Sequence, residues 1–244
     1  METAVIIYHK NAMKKYKHNW IIKCLESIKK QTFQSFDIYE LAYGENEKSL
    51  IKKFNRLPDY QNILNKHYFF NQIFENHIYA MNFLLNKIFD ENNTYKYCFN
   101  INIDDYYDIN RFQEQIDFIK EFNVDLVSSQ MIYIDENNNI IKQIDYLAYK
   151  NSNIFALNGI IKENVYIADN FKKNNNIIAH PSVCYTKKFW KLIGPYENNI
   201  PIEDLILFRK ATQNPNIKIH ISENFLLYYR IHNNQICKNI NKFY

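Results

Sequence analysis

The stretch Tyr95-Lys96-Tyr97-Cys98-Phe99-Asn100-Ile101-Asn102-Ile103-Asp104-Asp105 runs apolar from Tyr95 to Ile103 and then stops at two adjacent carboxylates. A short apolar run of this kind predicts a buried strand, and the acidic pair marks where it leaves the core. Working outward, the pattern alternates. Ala4 to Tyr8 predicts a first strand, and Trp20, Ile21, Cys24, Leu25 and Ile28 then fall on one helical face. Phe36 to Tyr43 reads as a second strand, Lys48 to Phe54 as a short helix and Tyr68 to Phe70 as a third strand. Ile73, Phe74, Met81, Leu84, Leu85 and Ile88 mark a long amphipathic helix. After the acidic pair, Phe112, Ile116, Ile119 and Phe122 mark another helix, followed by a strand from Val124 to Ile134.

Strand–helix alternation over the first 135 residues predicts an α/β fold, a single domain with a mostly parallel central sheet flanked by helices. Ligands in such sheets bind beyond the carboxyl ends of the strands. Functional groups are therefore expected at Tyr8 to Asn11, Tyr43 to Asn46 and Asn102 to Asp105. The second half is less regular. Residues 136 to 180 are weakly patterned, and the least ordered segment is expected there. A strand near Ser182 to Tyr185, helices from Lys187 and Glu203, and two strands around Ile217 to Ile221 and Phe225 to Ile231 complete the prediction.

Composition removes several classes. The chain has 244 residues and only 3 glycines, Gly44, Gly159 and Gly194, too far apart for a Walker-type loop or a dinucleotide fingerprint. Any nucleotide must be held without a glycine-rich cradle. The 36 Asn and 37 Ile, with abundant Lys, Tyr and Phe, reflect A/T-rich codon usage, and the runs Asn137 to Asn139 and Asn174 to Asn176 read as loop filler. A net charge of +4 is spread along the chain, with a pI near 8.6, unlike the basic stripe of a nucleic-acid binder. Cys24, Cys98, Cys184 and Cys237 have neither zinc-site spacing nor the density of a disulfide framework. With no basic leader at the N-terminus and no membrane-length apolar run, the expectation is a soluble, cytoplasmic protein without room for an appended membrane or lectin domain.

Four constellations are able to carry chemistry. Asn102-Ile103-Asp104-Asp105 offers oxygen ligands for a hard cation, and its bland alternative is that Asp105 or Asp108 caps the next helix. Glu203-Asp204 begins a helical stretch after Pro201, where carboxylates are favoured by the helix dipole whether or not one serves as a base. His180-Pro181-Ser182 contains a lone His, which is usually structural. Tyr229-Arg230-Ile231-His232 places Arg and His on one strand face, an arrangement suited to an anion or a metal.

Taken in order, NIDD at 102–105, HPSVCYTKKFWKLIGPYE at 180–197, PIEDLILFRK at 201–210 and LLYYRIHNNQIC at 226–237 resemble family 2 glycosyltransferases of the nucleotide-diphospho-sugar (GT-A) fold. Lys23 to Phe33 with Phe36-Asp37-Ile38 is similar to that family's first helix and second strand, and Ala80-Met81-Asn82 to its A-x-N segment. The resemblance spans roughly residues 4 to 236. It implies an inverting, metal-dependent hexosyltransferase-type enzyme, with a nucleotide-sugar-binding half (1–105) and an acceptor-binding and catalytic half (106–244).

Carried over by position, the resemblance makes Asp204 the general base, with Glu203 helping to place it. Asp104, Asp105 and His232 would hold Mn²⁺ or Mg²⁺ against the donor diphosphate. Donor contacts would come from Tyr8, His9 and Asn11, from Tyr43 and Glu45, and from Asn82, Asn102, Ile103 and Arg230. His180 and Trp190, with Tyr166 and Tyr196 as further aromatic candidates, would meet a glycan or other hydroxyl acceptor. Two departures stand out. The second strand ends Leu41-Ala42-Tyr43-Gly44-Glu45 without the family's Asp, and the first ends Tyr8-His9-Lys10-Asn11 instead of a Pro-Thr-Tyr-Asn-like turn. A non-catalytic binding relative and, further off, a sugar-phosphate nucleotidyltransferase are the alternatives. The latter needs a Gly-rich loop that Lys10 to Met13 lacks.

Overall fold

Strand β1 (Thr3–His9) is buried on both faces, and its alternation divides the protein into two cores. Ala4 and Ile6 point into one, Val5 and Ile7 into the other. A strand covered on both sides belongs at the centre of a helix-flanked sheet. The computed structural model describes residues 1–54, 66–92, 94–141, 177–198 and 202–235. Gly159, Tyr166, Asn174 to Asn176, Pro201, Cys237 and most of the weakly patterned 136–180 segment lie outside the described residues.

Around β1 the order is α1 (Ala12–Lys15), α2 (His18–Lys29), β2 (Asp37–Ala42), α3 (Leu50–Lys53), β3 (His67–Asn71), α4 (His77–Phe89), β4 (Tyr97–Ile101) and β5 (Tyr106–Tyr107). Then come α5 (Arg111–Phe122), β6 (Leu126–Ile134), a 3₁₀ turn at His180–Ser182, β7 (Cys184–Thr186), α6 (Lys187–Ile193), α7 (Glu203–Thr212) and β8 (Ile219–Arg230). The eight strands form one sheet in the order β3-β2-β1-β4-β7-β6-β8-β5. β3, β2, β1 and β4 run parallel, β6 pairs parallel with β8, and β7 and β5 run antiparallel to their neighbours. The mostly parallel α/β sheet is as expected.

The connections from β1 lead to β2 on one side, while β3 crosses back through α4 to β4 on the other. The strand order reverses at β1, and this switch point is where a ligand crevice opens. Ile7 is level with Ile101 and His9 with Ala42, so the carboxyl ends of β1, β2 and β4 finish side by side.

Several boundaries differ from expectation. Ile73 and Phe74 precede α4, because Asn76 caps the helix by accepting from the Ile78 and Tyr79 amides, and Ile73 is 71% exposed. Phe122 ends α5 exposed rather than on its buried face. α5 starts at Arg111, and its N-cap Asn110 is positioned by Asp108, whose carboxylate accepts the Asn110 amide at 2.9 Å, so neither Asp105 nor Asp108 is the cap. The two C-terminal strands are one. Ser222 to Phe225 breaks the alternation like a turn, but β8 carries the extra residues as a bulge against consecutive residues of β6 and continues.

Among the described residues the four non-glycine positions with positive φ are all asparagine: Asn11, Asn46, Asn123 and Asn138, at φ 49° to 69°. Asn123 terminates α5 in the left-handed conformation usually given to glycine.

One helix organises the core on the Ala4 and Ile6 side of the sheet. Along α4, Asn82 donates to the Tyr196 carbonyl at 2.9 Å and accepts from its amide at 3.0 Å, while Asn86 accepts from Trp190 Nε1 at 3.1 Å. Trp190 packs beside Gly194, where an added Cβ would meet the indole ring at 2.7–2.9 Å. The indole is buried and tied by its N–H, so it has little room to yield. Gly194→Ala is expected to destabilise the fold by about 1–3 kcal/mol, measurable as a lower urea midpoint at unchanged slope.

Candidate functional site

Beyond Ile101 the chain turns through Asn102-Ile103-Asp104-Asp105, and the turn is built from backbone contacts. The Asn102 amide donates to Tyr107 Oη at 2.8 Å, and the Asp105 amide to the Asn102 carbonyl at 3.3 Å. Ile103 is buried in the core, so its side chain faces away from any donor. Asn102 looks outward and accepts from Tyr8 Oη at 3.3 Å, joining the ends of β1 and β4.

The two aspartates part company. Asp105 turns inward: its Oδ1 accepts the Arg230 amide at 2.8 Å, its Oδ2 is buried without a hydrogen-bond partner among the described residues, and burial together with the charge of Asp104 pushes its carboxyl well up. Asp104 stays partly exposed, and its Oδ2 lies 2.9 Å from His232 Nε2. The Asn234 amide points at His232 Nδ1 at 3.2 Å, which leaves the ring proton on Nε2 and makes His232 the donor to Asp104. Tyr16 and Trp20 flank the imidazole, with centroids 5.7 and 5.1 Å away. His232 thus orients the carboxylate. Arg230, expected at the donor, is fully buried: Nε donates to the Asp104 carbonyl, Nη1 to the Asp135 carbonyl and Nη2 to Asn138 Oδ1, all at 2.8–2.9 Å.

On the opposite side α7 opens with Glu203 and Asp204. Glu203 Oε1 lies 2.6 Å from His77 Nε2 at the start of α4. Burial would raise the Glu203 carboxyl, but the hydrogen bond and charge of His77, with smaller help from a backbone hydrogen bond and His180, together outweigh it and the net shift is downward. Asp204 is half-buried, its Oδ1 accepting the Leu205 amide at 2.7 Å. Burial pushes the Tyr8 phenol upward, and the charges of Glu203 and Asp104 add to the push. Asp204 adds in the same direction to the buried phenols of Tyr185 and Tyr196.

Other expected contacts lie elsewhere. Trp190 is core, and Asn82 is spent on the Tyr196 backbone. His180 Nε2 pairs with Tyr196 Oη at 2.9 Å, and desolvation lowers the ring to about 4, so it is neutral near pH 7. Glu45 is exposed. The carboxylate that enters the crevice rim is Glu47: its Oε1 accepts the Asn11 amide at 2.8 Å and its Oε2 faces His9 Nδ1 at 3.1 Å. Tyr43 is buried at the same rim, with Lys10 Nζ 5.8 Å from its ring centre.

Beneath that rim lies a buried network the sequence does not announce. Glu40, fully buried in β2, accepts from the Leu50 amide at 2.6 Å and from Ser49, and faces His9 Nε2 at 3.2 Å and His67 Nε2 at 2.9 Å. Burial favours the neutral acid, yet His67, His9 and Ser49 pull the Glu40 carboxyl down to about 2. Burial alone would lower His9. Glu40 and Glu47, one at each ring nitrogen, instead hold it raised. No motif marks these residues: a Glu inside an apolar strand and a His at each of two strand ends is the whole signal.

No protein-family model matches the chain, and no curated protein matches it. Solved structures do. S. aureus TarS, residues 1–349 in complex with UDP-GlcNAc, is 18% identical with a TM-score of 0.65, over 98% of this chain and 61% of that one. The mannosyltransferase PcManGT from Pyrobaculum calidifontis, in complex with GDP-Man and Mn2+, is 10% identical with a TM-score of 0.56, over 90% of this chain and 56% of that one. The chain has a GT-A-like fold. It spans about three fifths of the length of these two structures. The crevice at β1 and β4, with its carboxylates on either side, is therefore the crevice of a GT-A-like fold. Among the described residues no three His, Cys, Asp or Glu side chains converge as a metal cage, and no helix is long and apolar enough to cross a membrane.

The Glu40 network has a defined pH window. Glu40, depressed from 4.5 to about 2, contributes stability above the ordinary glutamate range that fades as pH falls toward 2. His9, raised from 6.5, contributes fully below 6.5 and loses its contribution as pH rises through the raised value. The network is therefore strongest between about pH 5 and 6.5. Glu40→Gln should cost about 3–5 kcal/mol and flatten the decline above pH 6.5, as read by urea unfolding from pH 5 to 9.

Proposed function

We propose that the chain is a glycosyltransferase moving a sugar from a nucleotide-diphospho-sugar to an acceptor hydroxyl, with inversion at the anomeric carbon. The observation that carries this reading is a pair of separate carboxylate groups, each held by a long-range side-chain bond, in a GT-A-like sheet whose switch point lies at β1. One is Asp104, positioned by His232 and Arg230; the other is Glu203-Asp204, at the mouth of α7. The donor complexes of TarS with UDP-GlcNAc and of the mannosyltransferase with GDP-Man support the substrate class.

The residues present fit a divalent cation. Mg²⁺ and Mn²⁺ sites of this type take one or two carboxylates and fill the remaining positions with phosphate oxygens and water. Asp104 would hold the ion, with His232 fixing the carboxylate from behind, while Asp105 is turned inward to the Arg230 amide. When bound, the ion stabilises the charge that develops on the leaving nucleoside diphosphate. Tyr43, Tyr8 and Asn102 line the donor side. Asp204, on the opposite side, accepts the proton of the attacking hydroxyl, and attack on the face away from the diphosphate inverts the configuration.

The site also bears on the alternatives. A non-catalytic relative has no need of a carboxylate pair at the mouth of α7, held by a histidine from another helix. Asp204→Asn is expected to lower transfer by roughly 10²–10⁴-fold while donor binding stays within about threefold. Asp104→Asn should instead weaken Mn²⁺-dependent binding of the nucleotide. Calorimetry with UDP, GDP and dTDP, with and without Mn²⁺, reads both effects, and binding to none of them would favour the non-catalytic reading.

A further inference from the structure

His77 belongs to no motif, yet it is the side chain that grips Glu203. The grip is short, 2.6 Å from Nε2 to Oε1, and both side chains are about nine-tenths buried. Among the described residues Glu203 Oε2 has no hydrogen-bond partner, so His77 fixes the carboxylate by one oxygen. His77 is itself rigidly placed. It is the first residue of α4, whose start is closed by the Asn76 cap. Asn76 also donates to Asn198 Oδ1 at 2.9 Å, and Asn198 donates to Tyr79 Oη at 3.1 Å. Asn82 holds Tyr196 by both backbone groups. The beginning of α4 is thereby tied to the segment leading into α7, and His77 makes the final tie to α7 itself.

We propose that His77 is a positioning residue for the carboxylate pair: it keeps Glu203 ionised and in place, and so aims the first turn of α7, with Asp204, at the crevice. This rests on the glycosyl-transfer reading for its catalytic consequence but not for its electrostatic one. The groups facing Glu203 are few. His77 comes from α4, His180 from the 3₁₀ turn and Tyr8 from β1, and Asp204 is its own neighbour. His180 and a backbone hydrogen bond act on Glu203 in the same direction as His77 but more weakly, and Tyr8 is a neutral phenol. With His77 gone, the largest opposition to burial is lost and Glu203 moves toward the protonated acid.

The test reads the charge and the reaction separately. The Glu203 carboxyl carbon, ¹³C-labelled and assigned by its loss in Glu203→Gln, is titrated by NMR in the free protein. In the wild type the midpoint is expected below that of an ordinary glutamate. In His77→Ala it should move above it, and in His77→Gln, which keeps an N–H donor, it should fall between. If His77→Ala does not fold, His77→Gln alone decides. In parallel, kcat should drop by roughly 10²-fold in His77→Ala with little change in donor KM, and the acid limb of the pH profile should shift upward. A Glu203 midpoint unmoved in both variants overturns the inference, as does a wild-type pH profile in His77→Gln. If the midpoint moves but the wild type transfers no sugar from any donor, the role of His77 in holding the charge stands and the reading of the reaction falls.

Discussion

Arg230, at the end of β8, binds two turns from other parts of the chain at once. Its amide and Nε take the inward carboxylate and the backbone of the Asp104-Asp105 turn, and its Nη atoms take the turn that follows β6. A fully buried guanidinium demands that its donors be met, and here carbonyls and an amide oxygen meet them. The consequence is geometric. β8 cannot end, β6 cannot turn and β4 cannot leave the sheet except in positions that suit this one side chain. Asp104 faces the crevice because its own carbonyl is held from below, and His232, two residues beyond Arg230, reaches its carboxylate for the same reason.

Two devices of different chemistry then frame the crevice. On the β1–β2 side, Glu40 gathers two histidines, a hydroxyl and an amide in a buried, charged cluster that sets the rim through Glu47 and Asn11. On the α4 side, neutral amides do the work, with Asn76, Asn82 and Asn86 strapping the chain that leads to α7. The first responds to pH; the second does not, except where it ends in His77 and Glu203. The start of α7 thus sits on a scaffold that is largely insensitive to protonation, with one titratable tie at its tip.

The architecture was legible in the sequence because it rests on periodicity. β1, α2, β4 and α5 announce themselves by spacing, and the acidic turn after β4 marks the crevice. What escaped detection depends on long-range pairing. The bulged β8 looked like two strands because Ser222 to Asn224 is polar, and only its alignment with β6 makes it continuous. Asn82 and Trp190 belong to recognisable segments, but a motif records that a residue recurs, not whether it meets ligand or backbone. Both turn inward here. Glu47 and Glu45 are equivalent in sequence, and only the path of the loop brings the former to His9. His77 gave no local sign at all, since its partner lies 126 residues away.

The scarcity of glycine has a consequence for how the site is built. At Asn138 the backbone takes the left-handed turn that glycine would make without strain, and the same residue's amide oxygen receives Arg230 Nη2. Glycine would serve the backbone and leave the guanidinium short of an acceptor. Asparagine thus gives such a turn a side chain that glycine lacks, and here that side chain is part of the anchor on which the acidic turn rests.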